Sequence, residues 1–432
     1  MTRNTRYRRI RALLALLPVL LFVVAPQHTT ASTSAANPTG LVNVWTEFTA
    51  GGEAAGMKGL IPAWDAKHTG ITIKHRPIGN DQFFTTIRTA LSGGEPPDLL
   101  QFEGYQQTRD FAKAGQLMDL TSWWNAHKNM FVLQPAAARS CTYNGRIYCL
   151  PFEYASGWQI YYNPAILAQN HISVPKTWAQ FLAADATLKK NGVTPIALGG
   201  KDGWPGEHWF MNFLVQRCGV ATVYKAINQS GAKWTDHCFV QAATDFQSLQ
   251  TAGYFSAGAT SDAFAAGQAY FLAGKAAFFQ TGSWFASGWA STPPPFKVGI
   301  ISFPRMAGAV QKNDVTGAVT AVWGIPAQGK NPKAAMAFLD WLFTTPATKI
   351  WAQNGNMSMI KGAVDTYSPP VVRQVFSLVE TAHNALPWIE NELPPGVGED
   401  KVYNGTVALL SGSMTPTQFC QSIQTADAAN HH

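Results

Sequence analysis

The 432-residue chain carries 32 basic against 25 acidic residues, with only 13% charged residues, 12% aromatic ones and 15 Trp. Its net charge of +7 would suit a nucleic-acid or anionic-membrane partner, but five of the basic residues are Arg crowded into the first eleven positions. Without them 27 basic residues face 25 acidic ones, and neither partner class keeps its support.

Arg3, Arg6, Arg8, Arg9 and Arg11 precede an apolar stretch from Ala12 to Ala25 broken only by Pro18. That stretch falls short of the about 20 residues a comfortable membrane span takes. It reads as a signal peptide over residues 1–31, cut after Ala31 with Thr29 at the −3 position, or near Ala35. The Arg8-Arg9 pair resembles a twin-arginine signal, but Arg11 stands where an apolar residue is preferred, which favours the general export route. Residues 32–39 read as a linker. The remaining 400 or so residues exceed one ordinary core, so two lobes are expected.

Along the mature chain, residues 41–45 form a buried-strand run, followed by Gly51-Gly52 and a helical stretch through Trp64. Residues 71–75 alternate like a second strand, 82–91 read as a helix stopped by Gly93-Gly94, and 99–102 as a third strand. Strands alternating with helices predict a parallel sheet covered on both faces, with ligands beyond the strands' carboxyl ends. Further on, helices are expected at 177–190, 242–251 and 332–343, and strands at 275–279 and 297–301. The last hundred residues read as largely helical.

Five Cys suit an oxidising compartment. Cys141 and Cys149 flank the Asn144-Gly145 turn signal and are expected to pair, as are Cys218 and Cys238, leaving Cys420 buried and inert. There is no phosphate-binding loop, no dinucleotide fingerprint, no H-E-x-x-H, no nucleophile elbow and no Cys/His cluster at zinc spacing. No cofactor, metal or catalytic residue is therefore assigned. A glycosidase needs two opposed carboxylates, which Glu47, Glu103, Glu153 and Glu207 could supply, but passive sugar sites use carboxylates too.

Several stretches, in order, resemble the carbohydrate-binding family of extracellular solute-binding proteins of ABC importers. They are Leu91-Ser92-Gly93-Gly94-Glu95-Pro96-Pro97-Asp98, the Tyr143 to Pro151 hairpin, Tyr161-Tyr162-Asn163 and Pro175-Lys176-Thr177-Trp178. Phe271 to Ala277 followed by Gly282-Ser283-Trp284, and Lys330-Asn331-Pro332-Lys333-Ala334-Ala335, complete the set. The resemblance implies an α/β fold of two lobes joined by three crossovers, near 153–156, 303–304 and 345–346. One lobe would hold residues 40–153 with 304–345, the other 154–303 with 346–430. It departs from family members that carry a lipidated Cys after the signal, since the first Cys here is Cys141.

A pyranose offers apolar C–H faces and a rim of hydroxyls, so its site needs flat aromatic platforms and paired polar groups. The family resemblance makes Trp284 the first platform, and Trp204 in a Gly-rich loop and Trp45 beside the first strand join it. For the rim the candidates are Glu47, Gln82 and Glu103 at strand ends, Glu153 and Tyr154 at the first crossover, and Glu207 on the Trp204 loop. Gly317 and Asn356 match pocket-lining segments of the family. Trp123, Trp124, Trp178 and Trp341 lie in helical patterns and are expected to be core. The implied activity is capture of a mono- or oligosaccharide by a periplasmic or secreted monomer and delivery to permease subunits. The competing readings are a secreted glycan-active enzyme, a non-catalytic wall or matrix protein, and a binder of peptide, polyamine or metal.

Overall fold

The computed structural model describes residues 38–430 apart from 69, 291, 312 and 395, so the leader and most of the linker lie outside the described residues. Strand β1 (Gly40–Thr46) buries Val42, Val44 and Thr46 completely and pairs in parallel with β2 (Ile71–Pro77) and β3 (Leu99–Phe102). The Gly51-Gly52 signal opens helix Gly51–Asp65, which turns Met57, Leu60 and Trp64 inward. Trp64 meets Phe338 and Trp341 edge-on, with ring centres 5.1 and 5.6 Å away, so helix Pro332–Leu342 packs on the same layer.

The small hairpin β4 (Thr142–Tyr143) and β5 (Arg146–Ile147) turns at Asn144-Gly145 and is closed by the Cys141–Cys149 disulfide. A second disulfide joins Cys218 to Cys238, and Cys420 is buried as a free thiol.

Strand β6 (Leu150–Ser156) belongs to the first sheet, and β7 (Gln159–Tyr162) to a second one with β8 (Thr194–Ala197), β9 (Ala276–Gln280) and β10 (Gly299–Ser302), in the order β10-β7-β9-β8. Helix Trp178–Lys190 covers this sheet, started by a capping box in which Thr177 and Gln180 satisfy each other's backbone N–H groups. The chain thus passes between sheets at Gly157-Trp158. It returns after Phe303 into β11 (Asp314–Gly324).

Strand β11, the longest of the described strands, faces β3 only from Val322 to Gly324, so its earlier residues run on past the carboxyl end of β3. That overrun pairs with β6 and with β12 (Asn384–Leu386), which joins in parallel at Asp314–Thr316. The C-terminal region is largely helical, as expected, with β12 and the irregular chain around it as the interruption. One feature departs from the sequence reading. At 345–346 the chain does not yet cross: helix Thr345–Gln353 packs against helix Gly51–Asp65, with Trp351 filling the space beside Gly56. Helix Pro370–Ser377 joins the Tyr161, Phe279 and Phe285 cluster beside the second sheet through Val371 and Val375, and after β12 helices Asn404–Ser411 and Pro416–Asn430 pack on Trp204–Arg217 and His237–Thr251.

Candidate functional site

The carboxyl ends of β1 and β3 deliver Glu47 and Glu103, and the carboxyl end of β12 delivers Trp388, Glu390 and Asn391 toward them. The first turn of helix Trp204–Arg217 supplies Trp204, Glu207 and His208, which share one helix face by their three- and four-residue spacing. That helix begins at Gly203, whose φ of 81° and close approach to Tyr403 exclude a side chain there.

The aromatic groups form a box. Trp284 meets Trp204 and Trp388 edge-on, at 5.8 and 6.0 Å between ring centres. His208 stacks on Trp388 at 4.6 Å and touches Trp204 and Trp284. Gly282 lies so close to the Trp284 ring that a methyl group there would overlap it. Trp204 and Trp284 keep part of their surface accessible, while His208 is buried.

Beside the box runs a row of carboxyl groups. Glu207 accepts a hydrogen bond from the backbone N–H of Glu390 at 3.3 Å, and Glu390 accepts one from the Tyr403 hydroxyl at 3.0 Å. Asn391 donates to Glu103, and Gln101 donates to Glu47 at 2.8 Å. Glu53, in the first turn of its helix, and Glu153, in β6, continue the row on the first-sheet side. The second carboxyl oxygens of Glu153, Glu207 and Glu390 are buried without a hydrogen-bond partner among the described residues. Glu53, Glu103 and Glu390 are half-buried and keep accessible surface.

Burial disfavours the charged form of each carboxyl, and its neighbours add repulsion. Burial, then the Glu47 charge, pushes Glu53 up to about 8, and burial raises Glu207 to about 7. Glu103, Glu153 and Glu390 lie well above the usual carboxylate range for the same reasons. Burial holds His208 down at about 3, so its ring is neutral.

Of the residues singled out in the sequence, Glu47, Glu103, Glu153, Trp204, Glu207 and Trp284 fall into this group. Tyr154 is buried with its hydroxyl against Gly317, forming one wall piece where β6 meets β11. Asn356 is buried and donates to the Gly52 carbonyl at 2.9 Å, which anchors the helix that carries Glu53. Trp45 stands apart, inside β1 with the Arg76 guanidinium 4.6 Å over its ring, and Gln82 is exposed in the first turn of helix Asn80–Gly93. Sequence reasoning missed Glu53, His208, Trp388, Glu390, Asn391 and Tyr403. The rule that selected Glu47 and Glu103 would have found Trp388 and Glu390 had β12 been recognised. Two surface depressions, one along Arg88, Gln107 and Asp110 and one along the last helix, lack this convergence of rings and acids.

Residues 50–349 match the model of the bacterial extracellular solute-binding protein family. The chain belongs to that family. This solute-binding protein is 25% identical over 332 residues to the multiple sugar-binding protein of Streptococcus mutans, covering 73% of this chain and 75% of that one. It is 31% identical over 188 residues to an uncharacterised ABC transporter extracellular-binding protein of Pyrococcus horikoshii, a match spanning 42% of each chain. Among solved structures, a protein from work on xylan utilisation by Caldanaerobius polysaccharolyticus superposes with a TM-score of 0.82 at 24% identity, over 89% of this chain and 99% of that one. A chitin oligosaccharide binding protein gives 0.81 at 23% identity, over 91% and 99%. At these identities the likeness carries the fold, the two-lobed α/β architecture of solute-binding proteins.

Proposed function

We propose that the protein captures a mono- or oligosaccharide outside the cytoplasm and passes it, unaltered, to the permease subunits of an ABC importer. The observation that carries this reading is the meeting of Trp204, Trp284 and Trp388 with a row of hydrogen-bonding carboxyls between two sheets. Indoles take the C–H faces of a sugar ring and carboxylates accept its hydroxyls. The sugar-binding relatives support the ligand class.

In this reading the lobes divide near the expected boundaries, with helix Thr345–Gln353 counted in the first lobe, and the protein works as a monomer. Closure of the lobes buries the ligand. Glu392 serves as the latch of the closed form: it takes Arg109 at 3.1 Å and Arg139 at 3.6 Å from the first lobe, and the Tyr224 hydroxyl at 3.0 Å from the second. The glycosidase reading is less well supported. The matched family and the relatives are binding proteins, which favours capture over cleavage.

A thermal-shift screen with mono- and oligosaccharides tests the proposal. A ligand at 100 times its Kd adds about 2.7 kcal/mol of stability. A panel in which peptides or metal ions raise Tm and no saccharide does would overturn it.

A further inference from the structure

We infer that His208 is a specificity-determining residue of this site, whose imidazole hydrogen-bonds one hydroxyl of the captured sugar; this rests on the sugar reading above. Its ring stands among three indoles, stacked on Trp388 with ring centres 4.6 Å apart and touching Trp204 and Trp284 at 5.1 and 5.5 Å. The residue is 4% exposed. Neither ring nitrogen has a hydrogen-bond partner among the described residues; Nδ1 is sealed, whereas Nε2 keeps accessible surface.

An imidazole set unpaired among indoles gives up its hydration without return. A phenyl ring would stack on Trp388 equally well and carry no polar atom, so packing alone does not account for a histidine here. The partner of Nε2 therefore comes from outside the chain. Trp204 lies four residues before His208 on one face of helix Trp204–Arg217, and both Trp204 and Trp284 keep accessible surface. The opening that Nε2 meets is thus the one these indoles line.

The chemistry of the partner follows from the ring's state. Burial holds the imidazole neutral, so one nitrogen donates and the other accepts. A hydroxyl does both, and pairs with Nε2 in either tautomer. An indole accepts any apolar sugar face, but a fixed nitrogen at its edge bonds a hydroxyl at one ring position only. A sugar lacking that hydroxyl leaves the nitrogen unpaired, and this is what discriminates.

The test is calorimetric titration of the parent, His208→Phe and His208→Gln. The probes are glucose, galactose, xylose, maltose, cellobiose, xylobiose and N,N′-diacetylchitobiose, with the monodeoxy forms of each probe that the parent binds. His208→Phe keeps a stacked ring and loses both nitrogens, so it should bind those probes about tenfold more weakly while its ligand-free Tm stays at or above the parent's. His208→Gln keeps a donor and an acceptor but loses the ring, and should bind more tightly than His208→Phe. One monodeoxy form should bind the parent about tenfold more weakly than its hydroxylated probe and show no such penalty with His208→Phe. His208→Leu, equally without a ring nitrogen, takes the place of His208→Phe should that variant fail to fold. Parent and His208→Phe binding the probes alike, or no monodeoxy form losing its penalty in His208→Phe, would overturn the inference and leave the sugar reading standing. A parent protein that binds no saccharide would remove both.

Discussion

Trp284→Ala separates a ligand platform from a core residue. The ring touches Trp204 and Trp388 only edge-on and keeps accessible surface, so its loss leaves the packing of both sheets in place. The ligand loses a stacked face in a desolvated pocket, which costs about 2 kcal/mol or more, roughly 30-fold in affinity. Trp341→Ala is the contrast. Trp341 is 7% exposed and packs against Trp64, His68 and Phe338, so truncation opens a core cavity costing about 3–5 kcal/mol of stability. The assay is titration calorimetry for affinity and scanning calorimetry for Tm on both variants. Trp284→Ala should bind weakly and melt close to the parent, and Trp341→Ala should melt early and keep its affinity. A Trp284→Ala protein that melts early and binds normally refutes the placement of the cleft.

Gly282→Ala should weaken binding through the same ring, because its methyl drives Trp284 out of the box; titration showing unchanged affinity contradicts that geometry. The raised carboxyls make the ligand-free protein less stable as pH rises. Glu53 and Glu207 keep their protons in the folded chain up to about 8 and about 7, while the unfolded chain releases them near 4.5. Their contribution is complete below about pH 4.5 and is lost as pH climbs through 7 and 8, so Tm should fall from pH 5 to 8. Glu207→Gln should flatten that fall by on the order of 1–3 kcal/mol, and a Tm that rises over the range contradicts the burial. Glu392→Ala removes the shared partner of Arg109, Arg139 and Tyr224, and scattering should show a larger fraction of open molecules together with weaker ligand binding. Peptide mapping without reduction should recover both local disulfides, with Cys420 alkylated only after denaturation because burial pushes its thiol up to about 12.

How far the sequence was legible depends on the element. Strands β1 and β3 are apolar runs between turn signals, and their ends pointed to Glu47 and Glu103 directly. Helix Trp178–Lys190 announced itself through Thr177 and Gln180. Strand β11 was missed although Val315, Thr316, Val319, Thr320, Val322 and Trp323 suit a strand, because Gly317 and Ala318, kept small by contact with Tyr154 and β6, interrupt the pattern. Strand β12 has three residues and exists only because the overrun of β11 offers it an edge. One member of the acidic row and one wall of the aromatic box hang on that strand, so Trp388 and Glu390 stayed hidden. Tyr403 closes a π-helical turn, Gly398–Tyr403, for which the sequence pattern carries no signal. Trp45 shows the opposite failure: it lies one residue before the end of β1, and the alternation of strand faces sets it under Arg76, its register neighbour on β2.

The central claim is capture without chemistry, and one measurement addresses it directly. The pure protein is titrated with each saccharide that raises its Tm, and the sugar is then recovered and weighed by mass spectrometry. Saturable one-to-one binding with the sugar recovered intact is the predicted result. Cleavage of the sugar over many turnovers would contradict the account.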